Sequence, residues 1–269
     1  MLQPLANIMP SSQAPADKLA HAFENVSRAV GFIAIALPIG CLFAALISFI
    51  PPEDIQNSIS HFYYTPIMGD FFVGCLFFNG ILLMFMFHTN GKPVPGWKRL
   101  SIVESFMMRF AGFAALMIAF LPTNGASDSY GDEELLRVFS SGEKGSPLFG
   151  IESLGWIATW NLHYIFAVIM FVTLAYFTAF VFTRDHTTEP GTPETPPSEN
   201  KLRRNKYYRI LGASIIISIL MIGIGAKGWL GSVEAWDAAN GTFIFEAIAL
   251  LAFGFAWLIK GRYFISMNG

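Results

Sequence analysis

Long apolar runs alternate with polar segments along the chain. Because an α-helix rises about 1.5 Å per residue, roughly 20 apolar residues are needed to cross a hydrocarbon core about 30 Å thick. Six runs meet this requirement, which predicts an all-α integral membrane bundle of six transmembrane helices over residues 29–262. The predicted spans cover about 29–50, 71–88, 106–122, 162–183, 210–229 and 243–260.

The composition agrees with this pattern. Hydrophobic residues make up 54% of the chain and charged residues 13%, whereas soluble domains carry about 25% charged residues. The excess apolar surface is expected to face lipid. The net charge of −2 gives no basic signal for nucleic acid, so we expect membrane lipids rather than nucleic acid as partners.

The basic residues are distributed unevenly between the loops. Most of the 17 Lys and Arg residues fall at the two termini and in the loops after the second and fourth spans. Loops rich in Lys and Arg stay in the cytoplasm. The distribution therefore predicts cytoplasmic N- and C-termini and a multi-pass protein of the cell membrane, which we interpret as a bacterial inner membrane.

Two polar segments lie beside the predicted spans. Residues 1–28 form an N-terminal amphipathic segment, in which Leu19, Phe23 and Val26 fall on one helical face. We expect this segment either to lie at the membrane interface or to extend the first span. Residues 185–200 are rich in Pro, Thr and Glu, which predicts a flexible cytoplasmic linker within the bundle.

Polar side chains are costly at membrane depth, so each one is a candidate functional residue. The segment NSISHFYYTPIMGD follows the first span, Pro122-Thr123 closes the third on the same side, and single ionisable residues begin the fourth and sixth. Four segments therefore deliver polar groups to one depth on the predicted outer side. The candidate ligand-binding residues are Ser58, Ser60, His61, Tyr64, Asp70, His163 and Glu246.

Three interpretations of these residues stay open. They form a hydrogen-bonded site for a polar ligand such as a lipid headgroup, or Asp70, His163 and Glu246 bind a divalent metal. Imidazole and carboxylate ligands suit Zn²⁺, and a metal-bound water attacks esters and amides. In the third interpretation they are structural: Asp70 caps the second span, and Glu246 pairs with Lys227 or with a hydroxyl.

Three stretches of the chain carry a resemblance to a known group. SISHFYYTPIMGDFFVGCLFFNGILL has Ile59-Ser60 after the first span, a turn at Tyr64 and Pro66, and an aromatic-rich second span. With RRNKYYRILG and FEAIALLAFGFAWLIKG, it resembles six-span bacterial proteins of uncharacterised families, which are similar to the Frag/DRAM/Sfk-type proteins of eukaryotes. The resemblance implies six spans with both termini inside; the eukaryotic proteins are linked to lipid-anchor remodelling and membrane trafficking.

A second likeness is to membrane hydrolases of the ceramidase and adiponectin-receptor type. Ser58 or Ser60, with His61 and Asp70, is similar to the Ser, His and Asp that those proteins carry on early helices. They also have an HxxxH pair on a late helix and seven spans, whereas the last span here offers Glu246 instead.

The functional prediction is an outward-facing polar pocket that binds a lipid headgroup or a similar ligand. One alternative is a metal-dependent lipid hydrolase that uses the same residues with Zn²⁺. A second alternative is an accessory subunit, which would pack its Phe- and Met-rich surface against the other subunits of a larger membrane complex.

Overall fold

The computed structural model describes residues 13–47, 56–86, 100–121, 123, 159–184, 196–264 and 266, and this part of the chain is helical without strands. Within these residues, six helices are long and apolar enough to cross a membrane, as predicted. The elements are α1 (Gln13–Ile47), a 3-10 helix (Ile59–Tyr64), α2 (Pro66–Met86), α3 (Ile102–Phe120), α4 (Thr159–Tyr176) with a π-helical continuation (Phe177–Val181), α5 (Glu199–Gly225), the short α6 (Val233–Ala238) and α7 (Gly241–Lys260).

Two helices begin well before the apolar runs that predicted them. Helix α1 starts at Gln13, so the described part of the N-terminal segment extends the first span; Phe23 and Val26 pack against the core. Helix α5 starts at Glu199. Its N-cap is Ser198, whose side chain accepts a hydrogen bond from the Lys201 amide. Long charged side chains favour helix as strongly as apolar ones do, so hydropathy alone places these ends too late.

The predicted linker falls mainly outside the described residues. The flexible linker predicted for 185–200 is described only from 196 onward. The orientation of the termini stays a prediction.

The six spanning helices form a closed ring. Each one packs against its neighbours in sequence, and α7 packs against α1. The ends of α1, α3 and α5 therefore meet the beginnings of α2, α4 and α7 on one face, where the 3-10 helix also lies; we call this the site face. The opposite face carries the cations of α5 (Lys201, Arg203, Arg204, Lys206 and Arg209); we call it the basic face.

Two contacts in this ring bring helix backbones together at pairs of glycines. A Cβ atom at Gly80 would lie 2.8 Å from the carbonyl oxygen of Gly112, and a Cβ at Gly112 would lie 2.6 Å from that of Gly80. Gly31 of α1 and Gly254 of α7 face each other in the same way, at 2.8 Å in each direction. Helices in lipid associate through such close packing because no hydrophobic force drives apolar helices together there.

The basic face is joined by an ion pair. Arg184, just after the π-helical turn, contacts the Glu104 carboxylate of α3 at 2.5 Å. Glu104 is only 6% exposed; it also accepts from the Tyr176 hydroxyl at 3.1 Å and forms a capping box with Ser101. This pairing raises the pKa of Arg184. It joins the beginning of α3 to the chain that follows α4 on the basic face.

We expect Gly80→Ala to lower the stability of the bundle by about 1–3 kcal/mol, because the added methyl group meets backbone that cannot move aside. Gly74→Ala, on the same helix, is the matched control, since a Cβ there has nothing within 4 Å. Thermal unfolding in mild detergent measures both. An equal or higher Tm for Gly80→Ala than for Gly74→Ala would show that the α2–α3 contact is not as close as described.

Candidate functional site

The site is built on the segment between α1 and α2. Ser58 is the N-cap of the 3-10 helix, and its Oγ accepts from the Ser60 amide at 3.0 Å. Thr65 closes the helix by donating its hydroxyl to the Phe62 carbonyl at 2.8 Å. Pro66 then begins α2, in the first-turn position that proline favours. A short capped helix therefore lies across the site face.

Glu246 of α7 holds the first turn of this helix. Its Oε2 accepts from the Ser58 hydroxyl at 2.8 Å and from the Ile59 amide at 2.6 Å. One turn earlier on α7, the Phe243 amide donates to the Asn57 carbonyl at 2.9 Å. Glu246 thus pairs with a hydroxyl, as one interpretation of the sequence expected, while Lys227 is exposed.

His163 of α4 holds the second residue of the 3-10 helix. Its ring is only 1% exposed. Nδ1 lies 2.8 Å from the Leu121 carbonyl oxygen, and Nε2 lies 3.0 Å from the Ser60 hydroxyl. Because a carbonyl only accepts, the proton of the neutral ring belongs on Nδ1. Nε2 is then the acceptor of the Ser60 hydroxyl proton.

A second chain of hydrogen bonds joins the 3-10 helix to α3 and α4. The Tyr64 hydroxyl donates to the Thr123 carbonyl at 2.5 Å, and the Thr123 hydroxyl donates to the Tyr164 hydroxyl at 3.1 Å. Thr123 is buried. The segment between α1 and α2 is therefore attached to three helices that follow it in the sequence.

His61 differs from the other polar groups of the site. Its Nδ1 is buried and has no hydrogen-bond partner in the described part of the chain. Burial lowers the pKa of His61, and the carboxylate of Asp237 opposes that shift. A buried polar atom without a partner costs about 1–3 kcal/mol, so this nitrogen is the atom of the site that a ligand would satisfy.

The structure unites most of the predicted residues but not all of them. Ser58, Ser60, His163 and Glu246 are joined by direct hydrogen bonds, and Tyr64 through Thr123, with His61 beside Ser60 in the chain. Asp70 is exposed on α2. The prediction that Asp70 caps this helix is wrong, because α2 begins four residues earlier at Pro66. The Leu121 carbonyl and Asp237 were not predicted; a backbone carbonyl leaves no signal in the sequence.

The predicted metal ligands do not come together. Among the residues that the structure describes, no three His, Cys, Asp or Glu side chains form a group that could hold a metal ion. Both ring nitrogens of His163 already contact protein oxygen atoms. The set Asp70, His163 and Glu246 therefore does not fit a Zn²⁺ site in this arrangement.

No protein-family model matches this chain, and neither the comparison with curated proteins nor that with solved structures found a match. The resemblance to Frag/DRAM/Sfk-type proteins stays a prediction.

We expect Glu246→Ala to loosen the 3-10 helix, because it removes the acceptor of two hydrogen bonds. Amide hydrogen exchange in a peptide covering residues 57–64 should quicken about tenfold or more, as a loss of about 1.4 kcal/mol in local stability requires. The exchange rate in Glu246→Gln should lie between those of wild type and Glu246→Ala, since the amide oxygen of Gln still accepts hydrogen bonds. Glu234→Ala, which removes an exposed carboxylate of the same face, is the control. Unchanged exchange in Glu246→Ala would mean that this carboxylate does not hold the helix.

We expect acid to destabilise the protein partly through His61. A histidine whose pKa is lower when folded than its usual value of about 6.5 binds fewer protons in the folded state. Above about pH 6.5 the histidine is neutral in both states and does not affect stability. Below that pH the unfolded state takes up the proton more readily, so the free energy of unfolding falls. The Tm of wild type should therefore fall more between about pH 7 and about pH 5 than that of His61→Gln. An equal decrease in Tm in the two proteins would show that His61 does not contribute to the acid sensitivity.

Proposed function

We propose that this membrane protein binds the polar headgroup of a lipid at its site face. The observation that carries the proposal is the buried, unpartnered Nδ1 of His61 on the 3-10 helix. Nearly all buried polar atoms in proteins find a hydrogen-bond partner, in protein, ordered water or ligand. A headgroup hydroxyl, amine or phosphate supplies such a partner, with the tautomer of His61 setting which of its nitrogens donates.

The position of the site supports a lipid over a soluble ligand. The 3-10 helix lies where six apolar helices begin or end, and lipid headgroups occupy the same depth in a bilayer. The phenol groups of Tyr64, in this helix, and of Tyr164, in α4, are linked through Thr123, and aromatic side chains with a polar tip favour the interface. The resemblance to proteins linked to lipid-anchor remodelling agrees with a lipid ligand.

The same proposal includes an orientation. The basic face carries the cations of α5, and such cations remain on the cytoplasmic side. The site face is then the outer face of a cell membrane, which we take to be a bacterial inner membrane. The headgroup bound at His61 would belong to the outer leaflet.

Native mass spectrometry with added phosphatidylethanolamine or phosphatidylglycerol tests the proposal. We expect one lipid to bind wild type, and His61→Ala to weaken that binding about five- to tenfold, which corresponds to the loss of one hydrogen bond of about 1–1.4 kcal/mol. Asn57→Ala is the matched control, because the Asn57 side chain is exposed in the same segment and only its backbone carbonyl is used.

Two results would contradict the proposal. The first is that wild-type protein, once delipidated, binds neither phosphatidylethanolamine nor phosphatidylglycerol when these lipids are added, which would mean that it has no headgroup site. Equal binding by wild type and His61→Ala would mean that the lipid sits elsewhere on the apolar surface.

A further inference from the structure

We propose that Ser60 is a nucleophile activated by His163, and that the protein hydrolyses a lipid ester through an acyl–Ser60 intermediate. This inference rests on the proposed binding of a lipid, because the substrate is the bound molecule itself.

The geometry is that of a nucleophile, a base and a group that orients the base. The Ser60 hydroxyl lies 3.0 Å from Nε2 of His163, and Nδ1 lies 2.8 Å from the Leu121 carbonyl oxygen. Such an arrangement activates a serine when the far nitrogen holds its proton. Here a backbone carbonyl takes the role for which many hydrolases use a carboxylate. The three groups come from the 3-10 helix, from α4 and from the end of α3.

Ser60 is held from its backbone as well as from its side chain. Its amide donates to Ser58 Oγ at 3.0 Å, and Ser58 in turn donates to Glu246. These contacts fix the 3-10 helix, and with it the direction of the Ser60 hydroxyl. Ser58 and Glu246 are therefore positioning residues. Ser60 and His163 are both buried, at 9% and 1% exposed, so the pair is shielded from bulk water.

His61 holds the substrate next to the nucleophile. It follows Ser60 in the chain, and its Nδ1 has no partner among the described residues. The headgroup bound at this nitrogen places the ester of the same lipid within reach of the Ser60 hydroxyl.

The reaction balances with water as the second substrate. Ser60 Oγ forms a bond to the ester carbonyl carbon while its proton moves to Nε2 of His163. The C–O bond to the alcohol then breaks, and the alcohol leaves with that proton. Water attacks the acyl–Ser60 ester, gives a proton to Nε2, and Ser60 regains it as the carboxylic acid departs. Glycerolipid ester bonds lie just beneath the headgroup, at the depth of this helix.

A fluorophosphonate probe tests the inference on the full-length protein in mild detergent. The probe forms an Oγ–phosphorus bond with an activated serine and releases fluoride together with the serine proton. We expect mass spectrometry of wild type to place the adduct on Ser60, and Ser60→Ala to lose it. His163→Gln should slow labelling at least about a hundredfold, as loss of a general base does. Ser232→Ala, at an exposed cap of α6, should label as wild type does.

A cysteine variant keeps the test decisive if His163→Gln fails to fold. Ser60→Cys preserves the size of the side chain, and a thiol beside an imidazole ionises readily. Its reaction with iodoacetamide near pH 7 should exceed that of the buried Cys41 and Cys75. A thiol at position 60 that reacts no faster than these two would show that His163 only packs there.

The two proposals fail separately. Absence of an adduct on Ser60 in a protein that binds lipid would overturn the acyl-transfer inference and leave the headgroup site in place. An adduct on Ser60 in a protein that binds neither lipid would overturn the lipid ligand and retain the reactive serine.

Discussion

The contact between the last span and the first is the constraint on which the other features depend. Gly31 and Gly254 lack side chains at the point where α1 and α7 cross, so the two backbones meet there. In lipid, an apolar helix gains little by leaving the hydrocarbon, and association depends on how closely surfaces fit. This fit closes the ring, and closing the ring brings Glu246 beneath a segment that left the bundle after its first helix.

Polar groups that are buried away from water need hydrogen-bond partners within the protein. The segment 56–65 meets that condition by recruiting partners from outside itself. The Ile59 amide donates to a carboxylate, the Ser60 hydroxyl donates to an imidazole, and the Tyr64 hydroxyl donates to a backbone carbonyl. The bonds that stabilise the segment thus also fix the positions of its Ser60 and Tyr64 side chains. His61 stands apart because its nitrogen is left over once the backbone is satisfied.

The spans could be predicted because lipid demands about 20 apolar residues of any helix that crosses it. The ends could not, since Ser198 and the charged turns after it form helix without being apolar. The depth of Ser60, His163 and Glu246 also followed from the sequence, and a hydroxyl partner for Glu246 was among the alternatives. Lateral neighbours depend on how helices rotate against one another. Hence the sequence did not predict that Ser60 contacts His163. It also did not predict that Gly80 makes a close helix contact while Gly74 makes none.

The attachment of the 3-10 helix to later helices sets the order in which the protein can mature. Ribosomes make the chain from its N-terminus, and the acceptors for Ser60 and Ile59 are 103 and 187 residues farther on. While the early helices enter the bilayer, those donors must remain with water or with the insertion machinery. The site is therefore completed only when α7 has been translated, and a nascent protein halted before α7 would carry every early residue of the site without having the site itself.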